Sequence, residues 1–463
     1  MSSSPAPHIG RLTTGSITGH LIGQTTPAII AIAAMTSVGI VDAYFIGQLG
    51  GAELAAMSFV FPIVQALASL GVGVMASISS VVSRRIGAGH LQEAQRIGNL
   101  GIVLATIIGI VMAALLFLFR HVLFSAMNAD AELRALIDLF MVPYCFGFPL
   151  MLVLMGLNGN LRAQGEAKRQ SAIMIAMALA NLVLNPLLIN GLGILPGFGI
   201  AGSAYATILS MGLGVGLGFW MLSHTDIHFH PTIVRECHFG SATRALAKVA
   251  GPASLANAIN PMGIAILTSL LAAEGAALAS SGENPVVAGF GAAIRLQAFA
   301  IVPLLGLSAS IGGIVGQNWG RGYHDRAREA MVKAGMFCLV YGIVVAAIMV
   351  LAREQLAGLF ADDPAIIESF SEYISIAAWG YAGFGILITT NGALNAIDRA
   401  GTALVLSAAR VLLIMLPVAV MLQSMWGETG VFTGELIANL GGGLMAILLV
   451  LVLFREPRVE KPA

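Results

Sequence analysis

Asp42 lies late in an otherwise apolar and small-residue stretch, Thr36-Ser37-Val38-Gly39-Ile40-Val41-Asp42-Ala43-Tyr44-Phe45. An ionisable group at the centre of a membrane-crossing helix costs at least about 2.5 kcal/mol, so its presence calls for a reason. Burial disfavours the carboxylate relative to the neutral acid, which suits Asp42 to load and release a proton as its surroundings change; a bound cation would neutralise it equally well. The alternative is a helix-end acid wetted by the outer interface. Pro27, fifteen residues earlier, removes a backbone hydrogen bond and offers a hinge through which protonation could be transmitted, although prolines are common in spanning helices without that role. Asn181 and Asn185 stand one helical turn apart, on one face, ahead of Pro186. Their amides could bond Asp42 or tie neighbouring helices together. Arg295, a lone cation on an apolar segment, could pair with an acid, line a cavity or snorkel to the interface. Glu435 presents the same choice, with the interface favoured, and Asn257 and Asn260 are further polar positions inside a predicted span.

The elements that must position these residues are membrane helices. Of the 463 residues, 57% are hydrophobic and only 10% charged, against about 25% charged in soluble domains. Apolar runs of about twenty residues recur throughout, each long enough to cross a hydrocarbon core of roughly 30 Å. They do not alternate, which excludes a β-barrel. Spans are expected near 18–47, 54–80, 97–119, 133–156, 171–190 and 200–223, then 245–272, 286–316, 330–352, 366–392, 402–424 and 429–454.

Charge placement orients the bundle, because basic residues in short loops mark the cytosolic face. Arg84, Arg85 and Arg96 follow span 2; Arg162, Lys168 and Arg169 follow span 4; Arg235, Arg244 and Lys248 follow span 6; Arg321, Arg326, Arg328 and Lys333 follow span 8. With Arg11, Arg399, Arg455, Arg458 and Lys461, 18 of the 23 basic residues fall on one face, against Arg120, Arg134 and Arg353 on the other. Both termini are therefore expected in the cytosol of a bacterium, with the chain crossing its inner membrane. Positive and negative residues number 23 each, so no net charge points to a nucleic-acid partner.

The halves repeat. At an offset of 233 residues, without a gap, 24 positions between 73 and 167 are identical, among them Gly73 with Gly306, Gly87 with Gly320, Arg120 with Arg353, Asp130 with Asp363 and Asn158 with Asn391. Six helices separate the copies, an even number, so they share an orientation and are related by an axis along the membrane normal, with a central cavity between two lobes. The expected division is a tail at 1–17, an N-lobe at 18–223, a cytosolic linker at 224–244, a C-lobe at 245–454 and a tail at 455–463: an all-α integral membrane protein of twelve helices in two pseudo-symmetric six-helix lobes. The linker holds His224, His228, His230 and His238, whose spacing matches no standard metal-ligand set. Cys145, Cys237 and Cys338 form no metal pair or disulfide framework. The first ten residues lack the features of a secretory signal. No phosphate-binding loop, GxSxG elbow or HExxH pattern is present, so hydrolase chemistry has no sequence signal, and no cofactor is expected. The 21 methionines could furnish an adaptable apolar surface or ordinary packing.

Several segments together resemble the multidrug and toxic compound extrusion (MATE) family, in its DinF-like branch, over essentially the whole chain. They are Val41-Asp42-Ala43-Tyr44-Phe45-Ile46-Gly47, Arg85-Ile86-Gly87-Ala88-Gly89, Asn181-Leu182-Val183-Leu184-Asn185-Pro186, Gly199-Ile200-Ala201-Gly202-Ser203-Ala204-Tyr205-Ala206-Thr207 and Gly316-Gln317-Asn318-Trp319-Gly320. The resemblance implies export of amphipathic, often cationic compounds, driven by inward movement of protons or sodium. It implies Asp42 as the first-helix acid of an N-lobe site, Pro27 as the bending proline, and Asn181 and Thr207 as polar members of the same cluster; Tyr205, Arg295, Asn257, Asn260 and Glu435 are candidates to line a cavity or substrate site. Asn185 departs from the pattern, since relatives often have Asp there, leaving one N-lobe carboxylate. Spans 7 and 10 carry no central acid, which argues against a C-lobe cation site. The expectation is a monomeric, proton-coupled exporter, with sodium coupling as the runner-up. A lipid-linked precursor flippase, needing a cationic cavity, and an integral-membrane enzyme are the alternatives.

Overall fold

A computed structural model describes residues 10–192, 195–230, 232–233, 239–275 and 284–454. Arg235, Cys237 and His238 of the linker, and Arg455, Arg458 and Lys461 of the tail, lie outside these residues. Lipid offers no partner to a backbone amide, so each apolar run closes its hydrogen bonds within itself as a helix. The N-terminal half gives α1 (Ile17–Gly47), α2 (Gly51–Gly87), α3 (Leu91–Ala126), α4 (Ala131–Ala163), α5 (Ala167–Asn190) and α6 (Ile200–Leu222). The second half begins with α7 (Phe239–Gly275), followed by α8 (Pro285–Ala300) and α9 (Val302–Gly320), bent by 45° at Ile301. Next come α10 (His324–Leu351), the short α11 (Arg353–Ala357), and α12 (Pro364–Ala377) with α13 (Tyr381–Ala396), which form one span. Then α14 (Ala400–Ala408) and α15 (Leu416–Trp426) continue through π-helical Ala409–Met415, and α16 (Glu428–Leu453) closes the chain. Among the described residues eleven helices are long and apolar enough to cross a membrane, or twelve with the bent α8–α9 pair as one span. α1 runs unbroken through Pro27, so in this state the broken span is α8–α9 and the hinge proline sits in a continuous helix.

Core packing follows the two lobes. Ile78, Leu100, Ile137 and Phe148 belong to one buried cluster, built from α2, α3, α4 and α6 with Ala242 and Leu246 at the start of α7, whereas Phe290, Tyr373, Tyr381 and Phe432 belong to another, built from α8 to α16 with Leu267 and Leu271 of α7 and Ile17 and Leu21 at the start of α1. The repeat reappears as paired contacts. A Cβ on Gly87 would collide with the Gln317 carbonyl, and one on Gly320 with the Arg84 carbonyl, so α2 and α9 press their C-terminal turns together reciprocally. A Cβ on Gly159 would sit 2.8 Å from the Met75 carbonyl oxygen, and one on Gly392 2.6 Å from that of Ser308. Asp130 and Asp363 both cap helices, accepting from the Leu133 and Ala365 amides at 2.7 and 2.8 Å. Gly89 and Gly322 both turn the chain at φ +84° and +80°, which favours glycine.

The lobes are joined at the face that carries most of the basic residues. Gln317 reaches the Leu12 amide at 2.9 Å and the Ala163 carbonyl at 2.7 Å; Asn318 donates to the Leu12 carbonyl at 3.0 Å. Arg84 donates to the Ala396 carbonyl at 2.6 Å, Ser80 to the Asn395 carbonyl at 2.5 Å, and Thr25 meets Ser310 at 2.7 Å. All of these lie in the same half of the bundle and seal it there. Both ends of the described chain reach this face, Leu12 at Gln317 and Phe454 with its ring 5.4 Å from that of Trp319.

Because two backbones meet at Gly87 and Gly320, Gly87→Leu or Gly320→Leu is expected to prevent this seal. Transport should fall at least about tenfold with normal membrane insertion. In a cysteine-free background, a cysteine at Ser308 should become reactive to an impermeant maleimide added on the basic face; unchanged protection would remove the seal from the mechanism.

Candidate functional site

The sequence-predicted cluster assembles in the N-lobe, where α1 packs along α5 and α5 along α6. Asp42, partly buried, stands five residues before the end of α1. Asn185, fully buried on α5, donates its amide N–H to the Asp42 carboxylate. One turn earlier Asn181, 3% exposed, points its Nδ2 at Thr207 Oγ1 on α6, 3.4 Å away. The Oδ1 atoms of Asn181 and Asn185 are buried without a partner. A carboxylate, a hydroxyl and two unsatisfied amide oxygens form a hard, oxygen-rich set, which can share a proton with Asp42 or hold a small cation. Tyr205 leans edge-on against Phe198, ring centroids 5.7 Å apart, and is half exposed.

A cavity of about 500 Å³ lies between the lobes, within the range usual for organic ligands. Ala28 and Ile32 on α1 border it, so the helix that carries Asp42 also forms cavity wall; ten residues from Ile32 to Asp42 span ~15 Å of helix. Asn257 and Asn260 of α7 line it, whereas Tyr205, Arg295 and Glu435 do not belong to its wall. Arg295 is exposed on α8. The repeat pair Asn158 and Asn391 faces the cavity from the two lobes. Both Asn158 amide atoms, and the Oδ1 atoms of Asn391 and Asn395, are buried there without partners.

Two arginines line the cavity and, among the described residues, no Asp or Glu does. Arg162 is not in the loop after span 4: α4 continues to Ala163 and brings Arg162 into the wall. Arg410, in the π-helical stretch, is 3% exposed, donates to Asn260 and, at 2.5 Å, to Asn439, and lies 5.3 Å from the Phe384 ring centroid. Sequence reasoning passed over Arg410, although it and Arg295 were the two basic residues left outside both loop groups. Glu435 is likewise not interfacial. It is 5% exposed, two turns into α16, and accepts from Tyr373 at 3.0 Å and from Gln297 at 3.4 Å. The C-lobe therefore does hold a buried carboxylate, contributed by span 12 instead of spans 7 or 10.

Two lobes of six helices related by a repeat, enclosing a cavity between them, define a membrane transporter of the multidrug-efflux type. The sequence pattern of the MatE family matches residues 27–187 and 252–421, and the chain belongs to that family; it is a membrane transporter and not an enzyme. It is 33% identical over 428 residues to the FAD transporter of Shewanella oneidensis, covering 92% of each chain. It is 26% identical to the multidrug resistance protein PmpM of Pseudomonas aeruginosa, covering 92% of this chain and 89% of that one. The structure of the Vibrio cholerae MATE transporter VcmN in its bent form superposes with a TM-score of 0.87 at 26% identity, over 95% of this chain and 97% of that one.

A hydrogen bond to a charged group is worth about 1.5–3 kcal/mol, so Asn185→Ala should weaken ion-driven transport by about tenfold or more while cargo binding at equilibrium stays within about twofold. Equal loss of both in a transport and binding comparison would make Asn185 a packing residue only.

Proposed function

We propose that the chain exports an amphipathic organic anion of the flavin-dinucleotide kind through the inter-lobe cavity, in exchange for protons carried inward by Asp42. The observation that carries this reading is the cavity wall: Arg162 and Arg410 supply positive charge, asparagine amides supply hydrogen bonds, and among the described residues no carboxylate opposes them. Guanidinium groups recognise phosphates, and Phe384 beside Arg410 offers a ring face for stacking. The 33% identity to a protein named FAD transporter supports the same cargo.

The wall thus favours a cargo of opposite charge to the cationic compounds expected from the family resemblance. That second reading retains support from relatives named multidrug resistance proteins and from Met75, Met155 and Met174, which give the cavity an adaptable apolar side. A lipid-linked pyrophosphate would also suit the arginines, but the relatives above are not named for such a cargo. For coupling, a proton on Asp42 needs only the Asn185 amide nearby; sodium is the alternative that the surrounding oxygens would accept. Positive-inside logic puts the basic face, and with it both termini, in the cytosol of a bacterial inner membrane, so the sealed state has its cytosolic side closed. The transporter acts as a monomer.

Proteoliposomes test this directly. With an imposed pH gradient, wild type should move FAD against its concentration gradient. Asp42→Asn should reduce that movement at least tenfold while eluting as a folded protein. Ethidium transport without FAD transport would transfer the reading to cationic drugs; drive by a sodium gradient alone would replace the proton; and normal pumping by Asp42→Asn would remove Asp42 from coupling.

A further inference from the structure

The C-lobe contains a buried charged network that the N-lobe cluster does not use. We propose that Glu435 holds Arg410 in place and, by gaining or losing a proton, sets the charge that the cavity wall presents to cargo. Specificity for cargo charge would then reside in the C-lobe, apart from the ion handling at Asp42.

The geometry is a chain from a buried acid to the cavity. Glu435 is held by Tyr373 and Gln297. Asn439, one turn further along α16, accepts from Arg410 at 2.5 Å. Arg410 then reaches Asn260 and the Phe384 ring, which both belong to the cavity wall. The route is built for this: Gly442 leaves space for the Arg410 stem, whose Cγ and Cδ lie 3.1 Å from where a Cβ would be, and Gly380 leaves space for the Asn439 side chain. The π-helical turn carrying Arg410 is a feature that recurs at functional sites. The other titratable group facing Glu435 besides Tyr373 and Arg410 is Tyr381 of α13. Glu428 and Glu372 engage Ser369 and Thr429 nearer the start of α16. α14 and α15 carry no ionisable residue, Arg244 and Lys248 lie near the start of α7 whereas Asn260 is at its middle, and Arg295 on α8 is exposed.

With Glu435 ionised, its charge balances Arg410 and the wall is close to neutral at that point. With a proton from water on the carboxyl, Arg410 faces the cavity uncompensated; no other covalent bond forms or breaks. An anion then binds more tightly, and a cation more weakly. Glu435 is a positioning residue, acting through Arg410. The inference deepens the anionic-cargo reading, yet its sign for a cation lets it be tested separately.

Equilibrium binding of FAD and of ethidium should be measured from pH 5.5 to 8.5 for detergent-purified wild type, Glu435→Gln, Tyr373→Phe and Arg410→Met. Wild type should bind FAD about tenfold more tightly at the acidic end, a coupling of ordinary size. Glu435→Gln should bind it tightly at every pH, Arg410→Met weakly at every pH, and Tyr373→Phe, which removes an O–H donated to the carboxylate, should displace the midpoint of the curve. If only ethidium binds, with affinity falling in acid and flattened by Glu435→Gln, the anionic cargo is wrong and the Glu435–Arg410 switch stands. If Glu435→Gln and Tyr373→Phe, both folded, keep the wild-type pH profile for whichever ligand binds, the switch is overturned.

Discussion

A charged side chain in hydrocarbon must be held by polar partners or remain in contact with water, and the helices of this transporter are arranged around that requirement. Asp42 is within reach of an amide only because α1 lies along α5, so the carboxylate and Asn185 bring two helices to one register. Glu435 and Arg410 do the same for the C-lobe, drawing α16, α12, α8 and the π-helical turn to a common centre through Tyr373, Gln297 and Asn439. The N-lobe network keeps spare acceptors in the Oδ1 atoms of Asn181 and Asn185, and the C-lobe network brings Arg410 to the cavity wall. In a medium that penalises unpaired charge, this is how a resting structure can be stable and still ready to bind.

Much of this was legible in the sequence, and what was not has a physical reason. Twelve apolar runs and the 233-residue repeat are properties of the chain itself, and Asp42 with Asn181 and Asn185 stood out because polar groups on apolar helices are costly and two of them share a face. Which helices pack against which is a tertiary matter, so the Asp42–Asn185 bond itself was one of several possibilities. Glu435 sits close to a helix start and looked interfacial; whether Tyr373 and Gln297 cover it depends on the C-lobe fold. Arg162 falls beyond the expected end of span 4 at residue 156, after Asn158-Gly159-Asn160, and so groups with the loop charges. In the structure those residues remain helical, with Gly159 admitting α2 and Asn158 facing the cavity. Arg410 carries a signal of its own, a basic residue inside an expected span and outside every loop group.

The bend at Ile301 breaks the repeat in a telling place. By the 233-residue offset, the α8–α9 span is the counterpart of α2, and Gly320 and Gly87 still make matching contacts at the two C-terminal ends. Yet α2 is one rod of 37 residues, whereas its counterpart is jointed, with Pro303 standing where α2 has Leu70. A proline alone does not make the joint, since α2 passes through Pro62 unbroken. The two halves therefore meet their shared interface with different shapes, a continuous helix on one side and a bent pair on the other, so the pseudo-symmetry axis relates contacts at the helix ends without relating the walls between them.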